Sequence, residues 1–280
     1  MIRKCLFPVA GYGTRFLPVT KAMAKEMLPI VHKPLVQWGV EEALDAGLKQ
    51  VAFVTGRNKR AIADHFDNNY ELEAEIAGSA KEKYLHSIRK LQDECTFSFT
   101  RQRSMEGLGH AILTGETLIG NEPFGVVLSD DLCLVEPGCD GVMQQMVKLY
   151  NQFRCSIVAV MEVPKEEISA YGVVDGEPMK SGLFRINKMV EKPDPDDAPS
   201  NLAIIGRYIL TPDIFDIIRN TPRGRNNEIQ LTDALNAQAK DGCVLAYQFK
   251  GTRFDCGNVH GFVEATNHVY ENIYKPGLGV

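Results

Sequence analysis

Between Leu6 and Pro29 the chain sets two glycines and three cations in an order suited to a polyphosphate. Apolar residues up to Ala10 read as a strand, Gly11 and Gly13 turn the chain, and Arg15, Lys21 and Lys25 follow. Glycines let the backbone approach a ligand and take up positive φ, so that N–H groups converge on an anion. Charge spread over several phosphate oxygens is best held by several donors. One unit-charge contact at ~4 Å is worth about 4 kcal/mol at an effective dielectric of 20, so a few such cations dominate binding. A lone Gly-x-Gly is an ordinary turn. Thr14, Arg15 and Lys25 in this order make it a candidate anion loop. Lys21 is either a second phosphate contact or a solvated charge.

A second set of chemical groups follows further on. Asp130 and Asp131 stand just past a predicted strand, where ligands gather in open α/β sheets. Magnesium prefers such oxygens and takes one or two carboxylates plus substrate. Neighbours on an extended segment point oppositely, so only one of the two aspartates can face a metal; a helix cap or turn is the alternative. Lys192 ends an apolar strand before Pro193. Its ammonium either reaches the same sheet edge or lies along the surface paired with Glu191. Gln102 closes a predicted strand, and Asp255 taken alone reads as a turn residue. His110, at the opening of a helix, reads as structural, and Trp38 as core or interface packing. A dinucleotide fingerprint is excluded, because Phe16-Leu17-Pro18 stands where a third glycine and a helix are needed.

These groups need a scaffold, and hydrophobic periodicity supplies one. Val36, Val40 and Leu44 mark a helix that Pro34 opens and Gly47 stops. Gln50–Thr55 reads as a buried strand and Lys59–Phe66 as a short helix. That alternation predicts an α/β fold with parallel strands and helices on both faces. Tyr70–Asp93 is a charge-rich helical excursion, Cys95–Arg101 a half-buried strand, and residues 107–119 a helix. Gly125–Leu128 and Ser156–Val163 read as strands around a helix over Gly141–Phe153. Tyr171–Asp175 and Phe184–Glu191 read as paired strands, and Leu202–Leu210 as another. A helix begins near Glu228, Val244–Phe249 reads as the last strand, and Gly257–Tyr274 as a mostly helical tail. No repeat or long linker interrupts the chain. It is expected to form one domain over 1–280, with a core to about 255 and a helical arm over about 256–280.

Composition narrows the partners. At 280 residues and 44% hydrophobic, the chain can bury a large core. A net charge of −5 argues against nonspecific nucleic-acid or membrane binding and for local positive charge at a small anionic substrate. No apolar run approaches the ~20 residues of a membrane span, and the first residues lack a signal-peptide layout. Seven scattered cysteines without Cys-x-x-Cys spacing support neither a disulfide framework nor a zinc site. A reducing cytoplasm is the expected location.

Taken together, several segments resemble one family. Gly11-Tyr12-Gly13-Thr14-Arg15 with Lys25-Glu26-Met27-Leu28-Pro29 is similar to the signature of sugar-1-phosphate nucleotidylyltransferases. Arg101-Gln102, Gly107-Leu108-Gly109-His110-Ala111, Leu128-Ser129-Asp130-Asp131, Val190-Glu191-Lys192-Pro193 and Phe254-Asp255-Cys256-Gly257 fit in the same order. The likeness runs over nearly the whole chain. It implies a Rossmann-like nucleotidyltransferase fold with a mixed central sheet flanked by helices. It also implies a Mg²⁺-dependent reaction of UTP with glucose 1-phosphate to give UDP-glucose and pyrophosphate, and a homodimer or homotetramer.

Carried over by position, the resemblance implies that Ala10 and Gly11 face the uracil through their backbone. Gln102 and Gly107 would read its edge, and Arg15 and Lys25 would hold the triphosphate. Gly13, Thr14 and Glu26 would complete the substrate loop. Asp130 would bind Mg²⁺ with Asp255, Gly172 and Glu191 would hold glucose hydroxyls, and Lys192 would bind the sugar phosphate. Two departures stand out: Ala24 where the family usually has proline, and Arg225-Asn226-Asn227 where a glycine-rich turn is common. Both bear on loop stiffness, since no residue with a charge role is replaced. Within this reading a thymidylyltransferase, or a paralogue that binds nucleotide without turnover, are the alternatives.

Overall fold

The computed structural model describes residues 2–241 and 244–277. Its centre is a mixed nine-stranded sheet. The strands run in the order Thr96–Arg101, Gln50–Thr55, Lys4–Val9, Phe124–Val127, Leu202–Leu210, Ser156–Glu162, Val244–Gln248, Leu183–Glu191 and Gly172–Pro178. The first four run parallel, as the strand–helix alternation predicts. Leu202–Leu210 lies antiparallel to both of its neighbours and makes the sheet mixed. All nine of its residues are buried.

Two hydrophobic layers explain why these segments are strands. Cys5, Phe7 and Val9 point into one layer with helices Leu35–Asp45 and Val142–Phe153. Leu6 points into the other, with helices Leu108–Thr114, Ile214–Asn220 and Leu231–Asp241. This is the period of two that a sheet covered on both faces requires.

Three predicted elements differ. The helix over 107–119 breaks at Gly115 into Leu108–Thr114 and Glu116–Ile119. The excursion after Tyr70 is three short helical pieces, Tyr70–Ile76, Glu82–Leu85 and His86–Glu94. Val244–Gln248 is not the last strand: Thr252–Asp255 pairs antiparallel with Asp131–Leu134 as a separate ribbon. Four residues are too few to show a period, and Arg253 and Asp131 hide the alternation. The ribbon matters because Asp131 opens one strand and Asp255 closes the other, as direct partners in register.

The tail begins where Asn258 caps helix Val259–Val269 by accepting from Gly261 N–H at 2.9 Å. Ala265 and Val269 of that helix join Phe16, Leu28, Leu132 and Cys256 in a small core beneath the anion loop. The predicted arm's last residues, 278–280, lie outside the described residues. Asn226 and Asn227 both take positive φ, at 59°. Asparagine tolerates the left-handed region, so the pair does what glycines would do in that turn.

Candidate active site

The loop after Lys4–Val9 folds as three short turns, Thr14–Phe16, Val19–Lys21 and Lys25–Met27. Gly13 begins the first in the left-handed region, at φ 68° and ψ 33°. A β-carbon there would lie 3.1 Å from Lys25 Cβ, so both shape and space call for glycine. Thr20 Oγ1 donates to the Gly13 carbonyl at 2.7 Å and folds the second turn back on the first. Gly11 has nothing within 4 Å of where a β-carbon would be, because that side opens into a cavity.

The cavity measures about 350 Å³, and Ala10, Gly11, Lys25, Gln102, Gly107 and Asp130 line it. Lys25 Nζ stands 2.5 Å from Asp130 Oδ2. Burial works against the Asp130 charge, but Lys25 outweighs it and holds the carboxyl below its usual range. Burial likewise works against the Lys25 ammonium, and Asp130 outweighs it in the opposite sense, raising that group.

A neighbouring cavity of about 260 Å³ holds Asp131, Gly172, Glu191 and Lys192, and shares Leu108, Leu128 and Glu228 with the first. Thr232 Oγ1 donates to Glu191 Oε2 at 2.6 Å and aims that carboxylate. A β-carbon on Gly172 would meet Thr232 Oγ1 at 3.0 Å and Glu191 Oε2 at 3.2 Å, so glycine is what lets the strand pass so close. Lys192 takes φ 47° just past its strand and donates its N–H to the Tyr171 carbonyl at 2.9 Å. Its ammonium lies 3.7 Å from Glu191 Oε1.

The two aspartates separate as the alternation rule requires. Asp130 faces the first cavity, whereas Asp131 lies at the edge of the second with its carboxylate engaged, accepting from Gly206 N–H at 2.9 Å and pairing with Arg253. Arg207 is 1% exposed. It donates to the Asp131 carbonyl at 2.8 Å and to the Leu128 carbonyl at 3.1 Å, and Glu42 offsets its charge. Arg253 also donates to Tyr171 Oη at 2.9 Å, so one buried network ties the strand end beside Asp130 to the second cavity.

Asp255 and Asp130 both crowd the point where a Gly257 side chain would begin, at 2.9 Å from Oδ1 and 3.2 Å from Oδ2 respectively, with Arg15 Nη1 at 3.5 Å. No cluster of three or more His, Cys, Asp or Glu side chains suited to a metal occurs among the described residues. Two carboxylates beside a phosphate loop fit a hard divalent cation that completes its shell with phosphate and water oxygens. They do not fit a zinc-like ion.

Other candidates lie outside these two cavities. Thr14 and Lys21 line a third, of about 330 Å³, with Arg57 and Lys59, and it meets the first at Gly11 and Tyr12. Glu26 departs from its expected role. It is 2% exposed and accepts from Lys59 Nζ at 2.6 Å, so it braces the loop from beneath rather than lining a cavity. Burial pushes its carboxyl up against the pull of Lys59, and its Oε1 has no hydrogen-bond partner among the described residues. A hollow of about 470 Å³ between helices Ile214–Asn220 and Leu231–Asp241 holds none of the predicted groups, so size does not pick the site. Reading the sequence missed Glu228, Thr232, Tyr171 and Arg253. Only the Glu228–Asp233 segment, beside the asparagine turn, carried any signal.

A sheet with a parallel half, a glycine-turned cationic loop at its rim and a carboxylate facing that loop define a nucleotide-dependent phosphate-transfer class. The chain belongs to the nucleotidyl transferase family, whose model matches residues 8–272. It is 68% identical over 277 residues to a UTP–glucose-1-phosphate uridylyltransferase of Pseudomonas aeruginosa, covering 99% of each chain. It is 58% identical, with a TM-score of 0.91, to a UDP-glucose pyrophosphorylase complexed with UDP-glucose, over 97% of this chain and 99% of that one. A UTP-bound UGPase from Acinetobacter baumannii is 35% identical, with a TM-score of 0.90, over 100% and 98%. No helix among the described residues is long and apolar enough to cross a membrane.

Proposed function

We propose that the protein is a UTP–glucose-1-phosphate uridylyltransferase. The sugar phosphate oxygen attacks the α-phosphorus of UTP in line, and the bond to the β-phosphate breaks to release pyrophosphate and leave UDP-glucose. One observation carries the reading: two cavities share a wall, with Lys25 and Asp130 on one side and Glu191 and Lys192 on the other. A substrate pair that reacts at adjoining phosphates needs that layout.

Two anions must meet, so the residues act by offsetting repulsion and aligning partners, with little covalent work. Lys25 and Arg15 hold the triphosphate, and Lys192 holds the sugar phosphate. Ala10, Gly11, Gln102 and Gly107 bind the base; Gly13 and Thr14 shape the loop. Glu191, aimed by Thr232, and the Gly172 backbone orient the glucose. Asp130 and Asp255 would hold Mg²⁺, which when bound neutralises phosphate charge.

We read the chain as one domain with a core to about 255 and a helical arm beyond, acting in the cytoplasm as a homodimer or homotetramer. Pyrophosphate release from UTP and glucose 1-phosphate with Mg²⁺ tests the activity. A panel adding dTTP and galactose 1-phosphate separates it from a thymidylyltransferase. No release with any pair would mean a binding protein without turnover.

A further inference from the structure

We infer that His110 is a positioning residue for base selection. Its ring, together with the Gly107 carbonyl, holds the Gln102 amide facing one way, so the nucleotide cavity meets the base with an acceptor and favours uracil or thymine over cytosine. This rests on the reading above that Gln102 meets the base.

Gln102 is held by its backbone, whose N–H donates to the Thr55 carbonyl at 2.8 Å and extends the parallel pairing by one residue. Only the side chain is left to turn. Its Nε2 lies 3.3 Å from the Gly107 carbonyl and 2.9 Å from His110 Nδ1. A carbonyl can only accept, so the amide nitrogen and not the oxygen must face Gly107. That carbonyl is itself fixed, because Ile229 and its neighbours clamp the segment: Ile229 N–H donates to the Glu106 carbonyl at 2.8 Å, and Gly109 N–H to the Ile229 carbonyl at 2.9 Å.

With the nitrogen so placed, its second hydrogen points at His110 Nδ1, which must be bare to receive it. His110 is therefore assigned the tautomer with its proton on Nε2. Both amide hydrogens are then used within the protein. Oε1 has no protein partner among the described residues, and Gln102 lines the nucleotide cavity, so an acceptor is what the cavity offers.

Uracil and thymine carry an N3–H donor where cytosine carries a bare nitrogen. Against a fixed acceptor, cytosine leaves two lone pairs face to face in a site only 5% exposed at Gln102. Sites built around one hydrogen-bond pattern discriminate strongly for this reason. Without Nδ1 the amide nitrogen keeps only the longer Gly107 contact, so the orientation is held less firmly and turning the nitrogen toward cytosine costs less. The device does not separate uracil from thymine, which share that edge.

The test compares kcat/KM for UTP and for CTP in the whole protein and in two variants. His110→Phe keeps a flat ring and loses the acceptor; His110→Asn keeps an acceptor on a shorter arm. We expect the UTP preference to fall by about 10-fold or more in His110→Phe. KM for glucose 1-phosphate should hold steady, and His110→Asn should recover part of the preference. An unchanged UTP-to-CTP ratio in both variants, or equal losses for both, overturns the proposal. Failure of the underlying reading looks different: the wild-type protein would release no pyrophosphate from UTP. The same ratio is then read from equilibrium binding of UTP and CTP, with the same two outcomes.

Discussion

Lys25 Nζ meets Asp130 Oδ2 at 2.5 Å, joining the anion loop to a strand end 105 residues later. Each group has a second task, phosphate for the lysine and metal for the carboxylate. Pairing keeps both charged in a half-buried place where burial works against either alone.

Lys25→Met should therefore lower kcat/KM by about 10²-fold or more, the scale of losing one charge-stabilising donor. It should also change how stability responds to pH. In the wild type the Asp130 carboxyl is depressed, so its pairing stabilises the fold above the unfolded carboxylate pKa and is lost as pH falls through the folded value. In the variant burial loses its main opponent, with the backbone hydrogen bond and Arg253 still acting against it, so that pKa rises and the gain shrinks. The stability gap between wild type and variant should be wide at pH ~7 and narrow toward pH ~3, near unfolded carboxylate values. Urea titrations across that range check it; a constant gap would show that the pair is not what holds the carboxylate charged.

Asp130→Asn keeps the shape of the side chain and removes a hard anionic oxygen. The Mg²⁺ concentration for half-maximal activity should rise at least 10-fold, a loss on the scale of other perturbed metal sites. Asp131→Asn should act differently, because that carboxylate faces Gly206 and Arg253. Its cost should fall on stability, with the Mg²⁺ titration little moved. Measuring both variants by both readouts separates ligand from support.

Gly172→Ala would set a methyl group 3.0 Å from Thr232 Oγ1 and 3.2 Å from Glu191 Oε2. The hydrogen bond that aims Glu191 must shift by a few tenths of an ångström. KM for glucose 1-phosphate should rise by roughly 10-fold, as misplacement of an orienting group does. KM for UTP, read at the other cavity, should stay near its original value.

Much of this is legible in the sequence. Strongly apolar strands such as Gln50–Thr55 and Leu202–Leu210 announce themselves by burial, and the glycine–cation order points to the anion loop. The ribbon of Asp131–Leu134 and Thr252–Asp255 was not legible, since its pairing joins two four-residue pieces about 120 positions apart. Long separations also hide Arg253 and Tyr171, 82 positions apart, whose use depends on a partner that no local pattern names. Glu26 sits inside the motif beside Lys25, yet turns the other way. A neighbour in sequence on a tight turn is not a neighbour in the site.

The Glu26–Lys59 pair is a buried brace, with side chains 2% and 5% exposed. Glu26→Ala leaves the lysine charge buried without its partner, which should cost about 3–5 kcal/mol. Replacing both by methionine removes both desolvation penalties along with the attraction, and should recover most of the loss. Urea melts of the three proteins check this. If the double variant were as unstable as the single one, the packing of these side chains rather than their charge would be holding the loop.

Ala24 offers the opposite case, a place where the loop can be made firmer. Its φ is −65° and its ψ 133°, values that proline adopts without strain. Its N–H has no hydrogen-bond partner among the described residues, so the missing donor would cost nothing there. Ala24→Pro should therefore stabilise the protein by about 0.4–1 kcal/mol, by narrowing the freedom of the unfolded chain. The residue is 3% exposed, so the added ring atoms must find room beneath the loop. A higher melting temperature with unchanged kcat supports the backbone argument. A lower one would show that crowding at this buried position outweighs the entropy gained, and that alanine is there for its size.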